Sequence, residues 1–535
     1  MSTVAQIGGV VGCAGLALLI AGNRRDLRLA GLAGWAVGLT ALTLYLAPEL
    51  SPVTLVGAGL AGLLAAAAGA WALLRWPYLL AFATLVCVPV RIPIELSSLD
   101  ANLLLPLYAV IGSLAIAMAW QLVVRCDARR RELGPVALPL SALVLWSGIS
   151  LVWTVDLRTG SIFLVAFVLP FGLLAVGFAR LPWRGRRLTW LWVGLVGTAL
   201  VYAAIGLYQW ITRDIFWNPG VIVGNAYAPF FRVNSVFWDP SIFGRYLAIG
   251  VLTALVGILL GGVRGTRLVG LYMVVVALWL GLLLSFSQSS FVALSAGIVV
   301  ASFVVWRWRP VVLTAALLVV IAIVAAAVPS LRARVEDKSS SGINAVTSGR
   351  ANLVNQGVRI ALTHPVIGVG AGGFKRAYAD RTGLKGKDPK RAASHTTPVT
   401  VAAEGGFVGL ALMVWLVFAA LAATLRGVGF GFTSRVSLAV GVSLVAITVH
   451  SFFYNAFFED PITWALLGLV GLVATVPRKA GATVHPSGPT LGRESEERRQ
   501  NEAGEGVDEI GDLEHATHVE QHEDRGSEAR TSEPE

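Results

Sequence analysis

Three histidines, His364, His395 and His450, are available for chemistry once the four beyond residue 478 are set aside. Imidazole takes a proton near neutral pH, so each is a candidate general base wherever it reaches a surface that holds substrate. His395 stands in SHTTPVTVAAEGGFVG, with Pro398 after it and then Glu404. One reading has His395 and its two threonines capping a proline-started helix, with Glu404 hydrated at an interface. The other pairs a base with a carboxylate, because ionisable groups within a membrane are costly and face a cavity or a partner. A second chemistry is cationic. Arg232 and Arg245 lie in RVNSVFWDPSIFGRYLA, and planar guanidinium groups bind phosphate oxygens in bidentate fashion. The structural alternative has Arg245 snorkelling to the interface and Asp239-Pro240 simply starting a helix.

The segment HPVIGVGAGGF sets Gly368, Gly370 and Gly373 in the G-x-G-x-x-G spacing of a dinucleotide-binding turn. Its context excludes that use. RANLVNQGVRIALT, from Arg350 to Thr363, has a helical period with Ser348 as a cap, and Val354, Val358, Ala361 and Leu362 on one face. This helix is expected to lie on the outer surface of the bundle or membrane. Pro365 stops it. A helix rather than a buried strand thus precedes the glycines, no βαβ frame surrounds them, and no cofactor is expected. The glycines read instead as tight turns that pack the loop close to a bundle.

The elements that must position these residues are helices in lipid. Apolar residues make up 56% of the chain and charged ones 14%, and apolar runs of about 20 residues recur, the length that crosses ~30 Å of hydrocarbon. A window of roughly 19 residues gives about fifteen spans: 4–22, 29–47, 53–74, 77–90, 101–124, 135–155, 160–179, 188–211, 241–262, 268–286, 289–306, 310–329, 399–424, 436–453 and 461–477. The fold class is therefore all-α, a polytopic transmembrane bundle of about 15 spans, or 12 to 15 if weak ones drop out. The first span has no basic region before it and reads as retained.

Arginine-bearing loops alternate with loops carrying one basic residue or none, which predicts the N-terminus outside and the C-terminus in the cytoplasm. Segment 213–240 is rich in aromatics. Loop 330–398 carries 12 basic against 4 acidic residues, which suits an anionic partner on the outer side. Residues 478–535 lack aromatics and read as a disordered cytoplasmic tail, its His515 and His518 solvated. Cys13, Cys87 and Cys126 offer no disulfide. The regions expected are 1–187 and 188–329 as transmembrane helices, 330–398 as the large loop, 399–477 as the last helices and 478–535 as tail.

This constellation resembles the O-antigen ligase and O-antigen polymerase superfamily of bacterial membrane glycosyltransferases. The family pattern of an arginine, a P.L.G.G.G.F segment and then H…E.G..G leading into a span is similar to Arg350, HPVIGVGAGGF and SHTTPVTVAAEGGFVGL. RVNSVFWDPSIFGRYLAIG resembles the family's upstream arginine segment, and SFSQSSFVAL the stretch that usually reads Ser-Arg. Gln288 stands in place of that arginine, and Thr396 in place of the commoner Asn after the histidine. The resemblance spans roughly residues 190–475. It implies transfer of a glycan from an undecaprenyl-diphosphate carrier to an acceptor hydroxyl at the outer face of the cytoplasmic membrane. His395 is then the base, Glu404 its orienting partner, and Arg232, Arg245, Gln288 and Arg350 bind the diphosphate. No DxD or His-carboxylate metal pair stands on the outer surface, so a metal-independent inverting displacement is expected. Nucleic acid is no partner; the bilayer and a carbohydrate or lipid-glycan acceptor are. The rival readings are a flippase or transporter of lipid-linked glycans, disfavoured because no two similar halves are evident, and a non-catalytic envelope scaffold.

Overall fold

A segment apolar on every side can satisfy its backbone in lipid only within itself, so the chain runs as helices. The computed structural model describes residues 2–46, 52–96, 99–126, 132–183, 186–227, 230–307, 350–383, 394–429, 431–455 and 457–475. In chain order the helices are α1 (Ser2–Ala21), α2 (Arg25–Leu46), α3 (Pro52–Arg75), α4 (Leu79–Cys87), α5 (Leu105–Val123), α6 (Ala137–Ile149) and α7 (Leu157–Arg180, with a π turn over Leu164–Val168). There follow α8 (Arg186–Thr212), α9 (Pro219–Tyr227), α10 (Pro240–Leu260), α11 (Thr266–Ser285), α12 (Gln288–Trp306), α13 (Arg350–Thr363), α14 (Phe374–Thr382), α15 (Thr397–Leu425), α16 (Phe432–His450) and α17 (Pro461–Thr475).

Among the described residues, 11 helical segments are long and apolar enough to cross a membrane, and the protein is a polytopic helical membrane protein. The expected count of fifteen is reduced at identifiable places. α4 has 9 residues where 77–90 was expected, which at about 1.5 Å per residue covers less than half of the bilayer core. Pro77 and Pro89 bracket that run and Pro93 follows, so the apolar stretch cannot extend as helix. α17 is described over 15 residues, up to the end of the described segment. The expected span 310–329, the capping Ser348 and the tail 478–535 lie outside the described residues.

One departure from an all-helical chain occurs in the loop RIPIELSSLD. Strands β1 (Ile92–Leu96) and β2 (Leu99–Leu103) pair antiparallel, Ile92 opposite Leu103. Apolar residues at 92, 94 and 96 alternate with Pro93 and Glu95, a period of two that suits a strand. The following helix consequently begins at Leu105, with Pro106 in its first turn.

Among the described residues two large apolar cores form, with a smaller one under α13. One joins α1, α2, α5, α6 and α7 to α15, α16 and α17; the other joins α8, α10, α11 and α12 to α16. α16 serves both, with Val440, Leu444 and Ile447 in the first core and Leu438, Val442 and Ala446 in the second. Its last residue, His450, is therefore delivered to the seam between them. α10 is the most enclosed span, 78% of its apolar window being buried, and it carries Arg245.

The end of the bundle bearing the basic loops is fastened by charge. Arg28 grips both Glu132 oxygens at 2.8 and 3.0 Å, and Arg180 reaches the same carboxylate at 3.5 Å, all three side chains buried. Arg25 donates to the carbonyls of Leu122 and Val123. The candidate chemistry gathers at the opposite end.

Candidate functional site

The glycine loop binds two elements at once through its backbone. Gly368, Gly370 and Gly372 adopt φ of 67°, 88° and 72°, a region open to glycine at no steric cost. A Cβ at Gly370 would lie 2.2 Å from Thr154 Cα, and one at Gly368 2.4 Å from the Glu404 backbone. The positive φ falls at Gly372 rather than at the motif's third glycine, Gly373. Thr154 Oγ1 donates to the Ala371 carbonyl, and Val155 N to the Val369 carbonyl. The expected turn-and-pack role of the glycines thus has a partner, the segment that opens α7.

The other partner is α15, which breaks at Gly406 (φ 66°, ψ −170°). A break in a helix orphans carbonyls and amides. Here each group is re-paired. The carbonyls of Ala403, Glu404 and Gly405 accept from Val369 N, Gly370 N and the Trp146 indole, and Phe407 and Val408 donate to the carbonyls of Pro365 and Val366. Glu404 is held in this knot, its Oε1 accepting from Phe374 N at 3.3 Å, at the positive end of α14.

α13 spans 350–363 as expected, but its buried face differs. Leu353, Gly357, Ile360 and Ala361 face inward, whereas Val358 and Leu362 are 41% and 62% exposed. Gly357 explains the rotation, since a Cβ there would come within 2.6 Å of Val399. The helix packs by close approach to α15 and encloses Phe374, Tyr378 and Ala403.

His395 sits in the turn before α15 with φ 57°, and its neighbours clamp that turn to the loop after α16. Thr397 N donates to the Ser451 carbonyl at 2.8 Å, and Thr396 Oγ1 to the Phe452 carbonyl at 3.1 Å. Ser394 closes the turn internally, donating to the Thr396 carbonyl and meeting Thr400 Oγ1 at 2.9 Å. Immediately before this clamp, His450 meets Ser289 Oγ through Nε2 at 3.1 Å and lies 3.4 Å from Arg245 through Nδ1. Arg245 Nη2 pairs with Asp460 Oδ2 at 2.7 Å, both side chains 3% exposed. Asp239 caps α10, accepting from Ser241 N.

Arg232 donates through Nε to the Ser285 carbonyl at 3.2 Å, and Asn225 holds its backbone from both sides. Ser285 ends α11, Phe286 turns left-handed and Gln288 opens α12, exposed, next to Ser289. Of the predicted residues, then, Arg232 and His395 on loops, Arg245 in the first turns of α10 and Gln288 at the start of α12 stand on elements joined by this chain of hydrogen bonds, while Glu404 belongs to the adjoining glycine knot. Arg350 opens α13, and its side chain lies outside the described residues. His364 ends α13 exposed, beside Thr363 Oγ1.

Several members of this cluster were not singled out from sequence. Asp460, Glu459 and Tyr454 follow α16 in SFFYNAFFED, and Arg91 precedes β1. The readable signal was FFED, two carboxylates between apolar spans, where ionisable groups demand partners. Among the described residues no three His, Cys, Asp or Glu side chains are grouped to hold a metal.

Burial pushes the Glu459 carboxyl from 4.5 up to about 7, against the pull of the Arg91 and Arg245 charges. The folded protein therefore keeps a proton that the unfolded chain releases, and stability falls as pH climbs through the window from about 4.5 to about 7. Melting temperature in detergent is expected to decline from pH 5 to pH 7, with a shallower decline in Glu459→Gln. Parallel profiles for the two proteins would remove Glu459 as the titrating group.

The chain is thus a polytopic helical membrane protein in which His450, Arg245 and Asp460 are joined by close polar contacts next to the His395 turn. Residues 273–414 match the family model described as O-antigen ligase, which supports placing the protein in the O-antigen ligase superfamily, as the motifs suggested. The match takes in the Ser285–Gln288 turn, α13, the glycine loop, His395 and Glu404, and ends before His450. No curated protein matches the chain. The match supports an O-antigen ligase-like function in polysaccharide biosynthesis, and a family of this kind suggests a glycosyltransferase-like enzyme with lipid-linked glycan substrates in a membrane.

Proposed function

We propose that this face moves a glycan from an undecaprenyl-diphosphate carrier to an acceptor hydroxyl of a surface polysaccharide, at the outer face of the bacterial cytoplasmic membrane. The observation that supports it is the hydrogen-bonded chain from the His395 turn through Ser451 and His450 to Arg245, Ser289 and the turn held by Arg232. That chain brings a base and a cationic environment to one end of the bundle, as displacement of a diphosphate requires.

In the proposed step the acceptor oxygen attacks the anomeric carbon as the bond from that carbon to the diphosphate oxygen breaks. The hydroxyl proton goes to His395, and the bonding pair leaves with the diphosphate. Arg232 and Arg350 stabilise the charge that develops on the leaving group, Gln288 offering a neutral donor in place of a third cation. Arg245 is already paired with Asp460, so its contribution is to position His450 and, through it, Ser289. Glu404, fixed at the start of α14, orients the His395 turn through the glycine knot. The arginines supply the charge stabilisation directly, so transfer is proposed to run without a divalent cation.

Purified protein given a synthetic undecaprenyl-diphosphate glycan and candidate acceptors, with and without EDTA, tests this. Release of carrier diphosphate with a covalent glycan product supports the reading, and the acceptor used separates a ligase from a polymerase. Loss of turnover in EDTA would overturn the metal-free step. The broken α15 invites comparison with the discontinuous helices of transporters, but its freed backbone groups are satisfied by protein rather than left facing a substrate. Flipping of labelled lipid in liposomes without covalent product would favour that reading instead.

A further inference from the structure

A cavity of about 280 Å³ lies among α4, α8, α10, α16 and α17, and none of Arg245, His450 and Asp460 lines it. Its walls are apolar, formed by residues such as Leu85, Trp192, Ile249, Val256 and Leu466. Three of its four hydroxyl residues are satisfied within their own helices. Thr84, Thr253 and Ser443 donate to the carbonyls of Leu80, Gly250 and Ala439 within their own helices, and the Trp192 indole donates to the Thr253 carbonyl. The cavity thus offers almost nothing to water, while an apolar cavity of ~150 Å³ already takes a benzene-sized hydrocarbon.

One charged side chain lines it. Arg435, in the first turn of α16, stacks its guanidinium 5.6 Å from the Phe432 ring centroid, and its buried Nε has no hydrogen-bond partner among the described residues. Val263, also lining the cavity, is followed by Arg264 and then Arg267. The cation is therefore at the basic end, where the walls give way to loops.

We propose that the cavity holds one acyl chain of an anionic glycerophospholipid, with the lipid phosphate on Arg435. The three observations fit that occupant together: an apolar chamber walled by membrane spans, a single cation with an orphaned donor, and further arginines where a headgroup would lie. A hydrocarbon chain matches the walls, a phosphate matches the planar fork of the guanidinium, and only a membrane lipid supplies both from the same side.

The protein purified in a mild detergent, exposed to an equimolar mixture of phosphatidylglycerol and phosphatidylcholine of identical chains and then delipidated, tests this by native mass spectrometry. One retained phosphatidylglycerol is expected, preferred by about fivefold, the factor that one arginine provides for a net-anionic headgroup over one whose phosphate is already neutralised by choline. Arg435→Gln is expected to bring the two lipids to equal retention. Gly257→Leu fills the chamber, since a Cβ there meets only Trp192 at an ordinary 3.5 Å, and should abolish retention of both lipids while the protein stays folded. Equal retention of the two lipids by the native protein, or unchanged retention in folded Gly257→Leu, overturns the proposal. Should Gly257→Leu not fold, the lipid preference of Arg435→Gln still decides it.

Discussion

His395→Asn is expected to lower glycan transfer by about 10²–10⁴-fold, the range a positioned general base contributes, without unfolding the protein. Asparagine is the informative replacement because His395 has φ 57°, a left-handed conformation that Asn tolerates and Ala adopts at a cost of roughly 1 kcal/mol. The threonine clamp to Ser451 and Phe452 is left in place. Turnover within about threefold of the native protein would show that the turn matters for its shape alone.

Gly406→Ala is expected to destabilise the folded protein by about 2–6 kcal/mol, combining backbone strain at a glycine-only conformation with overpacking. The added methyl would stand 2.1 Å from the Val366 carbonyl oxygen. That oxygen cannot withdraw freely, because Val366 and its neighbour Pro365 accept from Val408 and Phe407. Thermal unfolding of the detergent-solubilised protein measures the effect. Gly62→Ala in α3 is the control, with nothing within 4 Å of the new Cβ. Equal melting points for the two variants would mean that the break at Gly406 is not held in place by the loop.

The spans were legible because lipid imposes a length and a composition on anything that crosses it, and α13 was legible to its last residue because Pro365 ends it. What failed was phase and partnership. Of the stripe Val354, Val358, Ala361 and Leu362, Ala361 is buried while Val358 and Leu362 are exposed, because the helix packs on Gly357, whose lack of a side chain lets α15 approach. The site residues Arg232, Arg245, His395 and Glu404 were visible as types in costly places. The pairing of Arg245 with His450, 205 residues away, and with Asp460 leaves no trace in local spacing. Hydropathy read 77–90 as a span because a window averages over prolines, and a proline interrupts a helix whatever its neighbours contribute.

The knot at Gly406 is made largely of main chain, the Trp146 indole and the Glu404 carboxylate apart. Among Pro365, Val366, Val369 and Gly370, every bond that receives α15 comes from an amide or a carbonyl rather than a side chain. A survey of this segment by alanine substitution would therefore touch Val366, which is 63% exposed, and find little. The groups that hold the helix open would survive each change. The segment constrains the protein through its peptide bonds, so its importance is visible to proline, which deletes an amide, and hidden from most substitutions that alter only the side chain.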